Sequence, residues 1–157
     1  MKPDRFLWAL LIGIGVLVVA ALVFFFMRRG GQEYGPDDTP ENVVRNYALA
    51  LQKLDYARAY DLLQEAEDKP DFERFRLNFL THAADPSSVA LSIQGSAITG
   101  DQAVVDVVVI YSDSGPFVDT NRSPGSALLV RDLSGNWKIA SLPYPFWGYD
   151  WYMPTKP

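Results

Sequence analysis

The sequence contains no cysteine and a single histidine among its 157 residues. Without cysteine the chain forms no disulfide, and this absence does not indicate a redox compartment. Zinc sites depend on cysteine and histidine, and the scattered Asp113, Asp119 and Asp132 do not follow a calcium-loop pattern. Neither a Walker loop nor a dinucleotide fingerprint occurs. We therefore predict no metal and no cofactor.

Basic residues are also scarce compared with acidic ones. The whole chain has 14 Lys and Arg against 19 Asp and Glu, a formal net charge of −5. From residue 30 onward the imbalance is larger, with 10 basic and 18 acidic residues. Nucleic-acid affinity depends on clustered Lys and Arg, so the sequence excludes nucleic acid as a partner.

One long apolar segment, residues 6–27, carries no charge and no proline. Its 22 residues would form a helix roughly 33 Å long, similar to the roughly 30 Å hydrocarbon core of a bilayer. A cleaved signal peptide has a shorter apolar region followed by a small-residue cleavage site, and no convincing site follows here. The segment predicts an uncleaved signal-anchor: one transmembrane helix, with the membrane as integral partner and the cell membrane as localisation.

The residues that flank this segment do not determine its orientation. Two basic side chains lie on each side, which is close to a tie under the positive-inside rule. Residues 1–5 are predicted to be an N-terminal tail. Residues 28–38 are predicted to be a flexible linker because they are rich in glycine and polar residues.

The next forty residues show helical spacing with clear start signals. Thr39 is suited to an N-cap and Pro40 to the first helical position, and apolar residues follow at helical intervals. Asp55 can cap a second, shorter helix. A third helix is predicted from about Asp71, and Asp85 and Pro86 end it.

From residue 88 the apolar period changes from near four to two, which indicates strands. A first strand ends at the turn formed by Gly100 and Asp101, and a strongly apolar second strand covers 103–111. A closing hairpin is predicted from 127–132 and 137–142. The loop between the second strand and this hairpin leaves room for a short strand at 117–120.

This order predicts an α+β domain over residues 39–143, with three helices packed on a curved antiparallel sheet of about four strands. It resembles the nuclear transport factor 2-like superfamily, the cone-shaped fold also seen in ketosteroid isomerases, and particularly its small membrane-anchored bacterial members. The resemblance rests on PENVVRNYALALQKLDYARAYDLL, on the phenylalanine-bearing helix from Phe72, and on LLVRDLSGNWKIASLP. It implies a bacterial extracytoplasmic domain that faces outward from the membrane.

A pocket between helices and sheet would have to be identified residue by residue, because fold does not establish function. The pocket candidates are Asp106, His82, Tyr47 and Tyr60. Asp106 interrupts a valine run, so it either lies on the less covered face of its strand or is a pocket acid or base with a raised pKa. His82 is either stabilised by the helix dipole or catalytic. Nothing matches a catalytic motif, so we assign no catalytic residue.

The chain ends in an aromatic tail, residues 144–157, with six aromatic side chains between 144 and 152. Trp and Tyr dominate interface hot spots, which makes Phe146, Trp147 and Trp151 candidates for contact with a protein partner. Two alternatives remain open. The tail folds back to cover the sheet or plug the cone, or it inserts at the membrane interface.

These features together predict a membrane-anchored, extracytoplasmic interaction or sensing domain without catalytic activity. The alternative is a pocket protein that binds a small apolar ligand or acts as an isomerase-like enzyme through Asp106 or His82. An open cavity reached by both side chains favours the alternative, whereas aromatic side chains that fill the cone disfavour it. The sequence does not indicate the oligomeric state.

Overall fold

The computed structural model describes residues 5–28, 32–111 and 121–152, with side chains of the first range described from 10 to 24. The chain divides into two compact units, Met1–Glu33 and Tyr34–Pro157. The first unit contains helix α1, Arg5–Arg28. The second contains three helices and four strands.

The first unit corrects one sequence prediction. In the part of the chain that the structure describes, no helix is both long and apolar enough to cross a bilayer. The finding contradicts the transmembrane helix predicted at residues 6–27. It equally contradicts the membrane as integral partner and the cell membrane as localisation.

The three helices of the second unit begin at the caps that the sequence predicts. Helix α2 covers Pro40–Gln52, α3 covers Tyr56–Asp61 and α4 covers Phe72–Leu80. The side chains of Thr39, Asp55 and Asp71 accept hydrogen bonds from backbone N–H groups three residues later, at 3.3, 3.2 and 2.8 Å. Each cap satisfies an N–H that the first helical turn leaves without an intrahelical partner.

The four strands form one antiparallel sheet in the order β1-β2-β3-β4. Strand β1 is Val89–Thr99, β2 is Gln102–Tyr111, β3 is Asn121–Arg131 and β4 is Trp137–Ser141. The α+β class and the four antiparallel strands are therefore confirmed. The predicted short strand at 117–120 lies outside the described residues.

Strand β3 begins six residues before the start predicted at residue 127. Its first half contains Pro124 and Gly125, which usually interrupt a strand. Here this half pairs with β2, where Pro124 lies opposite Val108, while β4 pairs only with 128–131 of β3. One edge of the first half is therefore free of β4, and a proline without an N–H is tolerated at such an edge.

Helices and sheet enclose a single apolar core on one face of the sheet. Strand β2 alternates along its first half, with Val105, Val107 and Val109 buried. The segment that follows α3 is joined to β4, since the Gln64 N–H donates to the Ile139 carbonyl at 2.8 Å. The core of the second unit also contains Val43, Val44, Leu51, Leu63, Phe75, Leu129 and Trp137.

Candidate functional site

The aromatic tail folds back into the core of its own domain. Phe146 is fully buried, and its carbonyl accepts a 2.8 Å hydrogen bond from the Tyr47 hydroxyl. Trp151 is 4% exposed, and its ring lies 5.0 Å from the ring of Phe75 and 5.8 Å from that of Phe79. Aromatic side chains of the tail therefore belong to the apolar core, in contact with helices α2 and α4.

This arrangement determines how accessible the three partner-contact candidates are. Phe146 and Trp151 are buried inside the domain, and Trp147 is half-buried, with its ring 5.1 Å from that of Trp151. The most exposed described side chain of the tail is Tyr149, at 91%. Of the three candidates, Trp147 alone keeps a partly accessible surface.

Asp106 lies on the sheet face opposite the helices. Its side chain is exposed, between the buried Val105 and Val107, and its Oδ1 accepts a 3.3 Å hydrogen bond from the Ser126 hydroxyl. Alternation along the strand explains the position, because neighbouring residues point to opposite faces. Asp106 therefore does not share a cavity with Tyr47, which is buried on the helix side.

The two tyrosine candidates serve the packing of the domain. Burial, and then the nearby Tyr152, raise the pKa of Tyr47. The Tyr60 hydroxyl donates to the Pro70 carbonyl at 2.8 Å, and the Lys69 ammonium lies 4.1 Å from the centre of its ring. Burial, and then Glu65, raise the pKa of Tyr60. Both phenols remain protonated at neutral pH.

His82 lies at a cleft on the surface between the C-terminal ends of α2 and α4, which we call the α2–α4 cleft. Its volume is about 300 Å³. The apolar wall consists of Leu51, Leu54, Tyr56, Phe79, Leu80 and Pro86, and the polar lining consists of Gln52, His82, Asp85 and Ser87. The backbone turns sharply on both sides, with positive φ at Leu54 (59°) and at His82 (57°). These turns end the two helices and leave the space between them open.

The polar lining is organised around Asp85. Its Oδ2 lies 3.0 Å from Nδ1 of His82, and its Oδ1 accepts a 3.0 Å hydrogen bond from the Ser87 N–H. Hydrogen bonds from Ser87, with a smaller contribution from His82, hold the pKa of the Asp85 carboxyl below its usual value. Asp85 is therefore a carboxylate at neutral pH.

Sequence reasoning treated Asp85 only as part of the stop signal of the third helix. Its position three residues after His82 was the one local signal for the pair. The four predicted pocket candidates do not converge: His82 lines the cleft, whereas Asp106, Tyr47 and Tyr60 do not. Among the described residues, no group of three or more His, Asp or Glu is placed to hold a metal ion.

The cleft is suited to binding an apolar group. Its volume is at the lower end of the roughly 300 to 1,000 Å³ range of small-molecule sites, and such sites combine apolar walls with a few polar groups. Leu54 and Leu80 are 68% and 47% exposed, so an occupant would remove apolar surface from water.

Comparisons with known proteins give similarity of structure only. No family model matches the chain, and no curated protein does. A SEC-C motif containing protein from Rhodopseudomonas palustris is 14% identical with a TM-score of 0.50, over 68% of this chain and 79% of that one. A putative calcium/calmodulin-dependent protein kinase type II association domain from Thiobacillus denitrificans is 9% identical with a TM-score of 0.49, over 65% and 90%. A putative ketosteroid isomerase from Shewanella frigidimarina is 21% identical with a TM-score of 0.43, over 62% and 87%.

The first of these similarities shows a shared fold and nothing about activity. Helices packed on one face of a four-stranded antiparallel sheet agree with the predicted α+β domain, and the resemblance to the nuclear transport factor 2-like superfamily stays a prediction. The membrane anchor that the resemblance also implied is not shown.

Proposed function

We propose that this protein is a non-catalytic binding or sensing domain that takes up a small apolar ligand in the α2–α4 cleft. The observation that carries the proposal is the apolar wall of this cleft, with Leu54 and Leu80 at its surface. Fully burying a leucine side chain contributes about 1.5 to 3 kcal/mol. Covering two half-exposed leucines therefore contributes to the driving force for weak, reversible binding.

The placement of the acid-base candidates supports a role without catalysis. Asp106 is exposed on the far face of the sheet, and His82 is on the helix side, so the two cannot act on one ligand. Phe146 and Trp151 are buried in the apolar core. A general acid or base has to be within hydrogen-bond reach of the reacting group, and of these two candidates His82 alone lines the cleft.

The test is a titration of 1-octanol into the ¹⁵N-labelled full-length chain, followed by amide chemical shifts. We expect saturable shifts concentrated at residues 51–56 and 79–87. Leu80→Asp places a charge in the apolar wall and should weaken binding at least about ten-fold, since leaving a charge against an apolar ligand costs more than 1.4 kcal/mol.

The matched control is Leu133→Asp, which makes the same change at a fully exposed leucine in the β3–β4 turn. It should leave octanol binding unchanged. Shifts that are absent, or that are equally affected by the two variants, would contradict the proposed function.

A further inference from the structure

We infer that the α2–α4 cleft selects an organic cation, a primary amine whose apolar body enters the cleft and whose ammonium group pairs with Asp85. This inference rests on the proposed function and adds the chemical class of the ligand. It follows from the charge, the hydrogen bonds and the aromatic surface at the cleft.

The carboxylate of Asp85 has acceptor capacity left for a ligand. Its partners are His82 at Oδ2, the Ser87 N–H at Oδ1, and the Ser87 side chain, which also forms a hydrogen bond with the carboxylate. A carboxylate offers about four lone-pair sites, and an ammonium group has three donors. The Asp85 side chain is 39% exposed, so a ligand in the cleft can reach it without displacing the backbone of Ser87.

The aromatic wall favours the same sign of charge. Tyr56 and Phe79 lie nearly parallel, at 15°, with ring centres 6.0 Å apart, and both line the cleft. Aromatic faces attract cations through the ring quadrupole. These two rings line the same cleft as Asp85, and aromatic surface favours a cation over an anion there.

The charge of the chain disfavours an anionic ligand. From residue 30 onward it has 18 acidic and 10 basic residues, and none of the described residues that line the cleft is Lys or Arg. A ligand carboxylate would approach Asp85 with like charge, whereas an ammonium group would be attracted.

Three compounds with the same eight-carbon chain test this inference: octylamine, 1-octanol and octanoate. At neutral pH they are cationic, neutral and anionic. We expect octylamine to bind about five-fold more tightly than 1-octanol, the upper end of the range for exposed ion pairs. Octanoate should bind most weakly. The dissociation constants are measured from amide shifts of the full-length chain.

Asp85→Asn should abolish the preference for octylamine while 1-octanol still binds. The matched control is Asp106→Asn, which changes the net charge equally on the far face of the sheet. It should keep the preference. Amide spectra of both variants verify the fold.

His82→Ala provides a second test that leaves the carboxylate in place. Because it frees one oxygen of Asp85, octylamine should bind at least as tightly as to the unmodified chain. Equal affinity for octylamine and 1-octanol, equal effects of the two Asp→Asn variants, or weaker octylamine binding to His82→Ala would overturn the inference. Failure of all three compounds to bind would instead refute the proposed function itself.

Discussion

Replacing Trp151 tests whether the tail is part of the folded core. Truncating a buried tryptophan to alanine costs about 3 to 5 kcal/mol. The Trp151 Nε1–H, however, is buried without a hydrogen-bond partner among the described residues, and an unpaired buried donor costs about 1 to 3 kcal/mol. Alanine removes this donor too. We therefore expect Trp151→Ala to lower the free energy of unfolding by about 2 kcal/mol, the difference between these two effects.

The assay is urea denaturation of the full-length chain, followed by far-ultraviolet circular dichroism. With an m value of about 1 to 3 kcal/mol/M, the midpoint should fall by roughly 1 to 2 M. Trp151→Phe keeps an aromatic ring near Phe75 and also removes the unpaired donor, so its cost should stay within about 1 kcal/mol.

Tyr149→Ala is the control, since Tyr149 is 91% exposed in the same segment. A surface change of this kind should alter stability by no more than about 0.5 kcal/mol. If Trp151→Ala and Tyr149→Ala had the same midpoint, the tail would not be packed as the structure shows, and the reasoning would be refuted.

Three further predictions concern stability, each measured by the same denaturation assay. Gly148→Ala would direct a methyl group into the indole of Trp151, which is held in the core. It should therefore destabilise the domain about as much as Trp151→Ala does. Gly95 has open space around it, so Gly95→Ala should not destabilise the domain. Asn46 is fully buried, and its side chain forms hydrogen bonds with both the N–H (3.0 Å) and the carbonyl (2.8 Å) of Gly35. Asn46→Ala should therefore lower the free energy of unfolding by about 1 to 3 kcal/mol. Replacing the more exposed Asn42 by alanine should lower it by about 0.5 kcal/mol or less, and equal effects would contradict this prediction. Burial raises the pKa of Tyr47 and of Tyr152, and a raised folded-state pKa gives stability that is present below the unfolded pKa of about 10 and lost above it. The urea midpoint should therefore be constant from pH 7 to about 9 and fall as pH rises past 10, together with the absorbance change of tyrosine ionisation. A midpoint that is unchanged at alkaline pH would contradict the assignment.

Features that depend on neighbouring residues were accessible from the sequence. The caps at Thr39, Asp55 and Asp71 are local hydrogen bonds over three residues, so their spacing alone indicates where helices begin. The alternation around Asp106 likewise indicated, as one of two options, that this side chain lies on the exposed face of its strand. The structure places it on that face.

Features that depend on pairing between distant segments were misjudged. Pro124 and Gly125 were predicted to lie in a loop, yet pairing with the long strand β2 holds them in register, an effect that no local pattern shows.

The apolar run at 6–27 was interpreted as a membrane span, which the described residues contradict.

The candidate site and the tail were decided by tertiary structure. The α2–α4 cleft brings together residues 51–56 and 79–87, which are separated by more than twenty residues, so its walls have no common sequence signature. The tail was compatible with a plug, a partner surface or a membrane contact, because its aromatic residues have no regular period. Amino-acid order alone determined the caps, the alternation and the class of the domain through short-range hydrogen bonds. Long-range packing against Phe75 and Phe79 decided where Trp151 docks and which surface stays open.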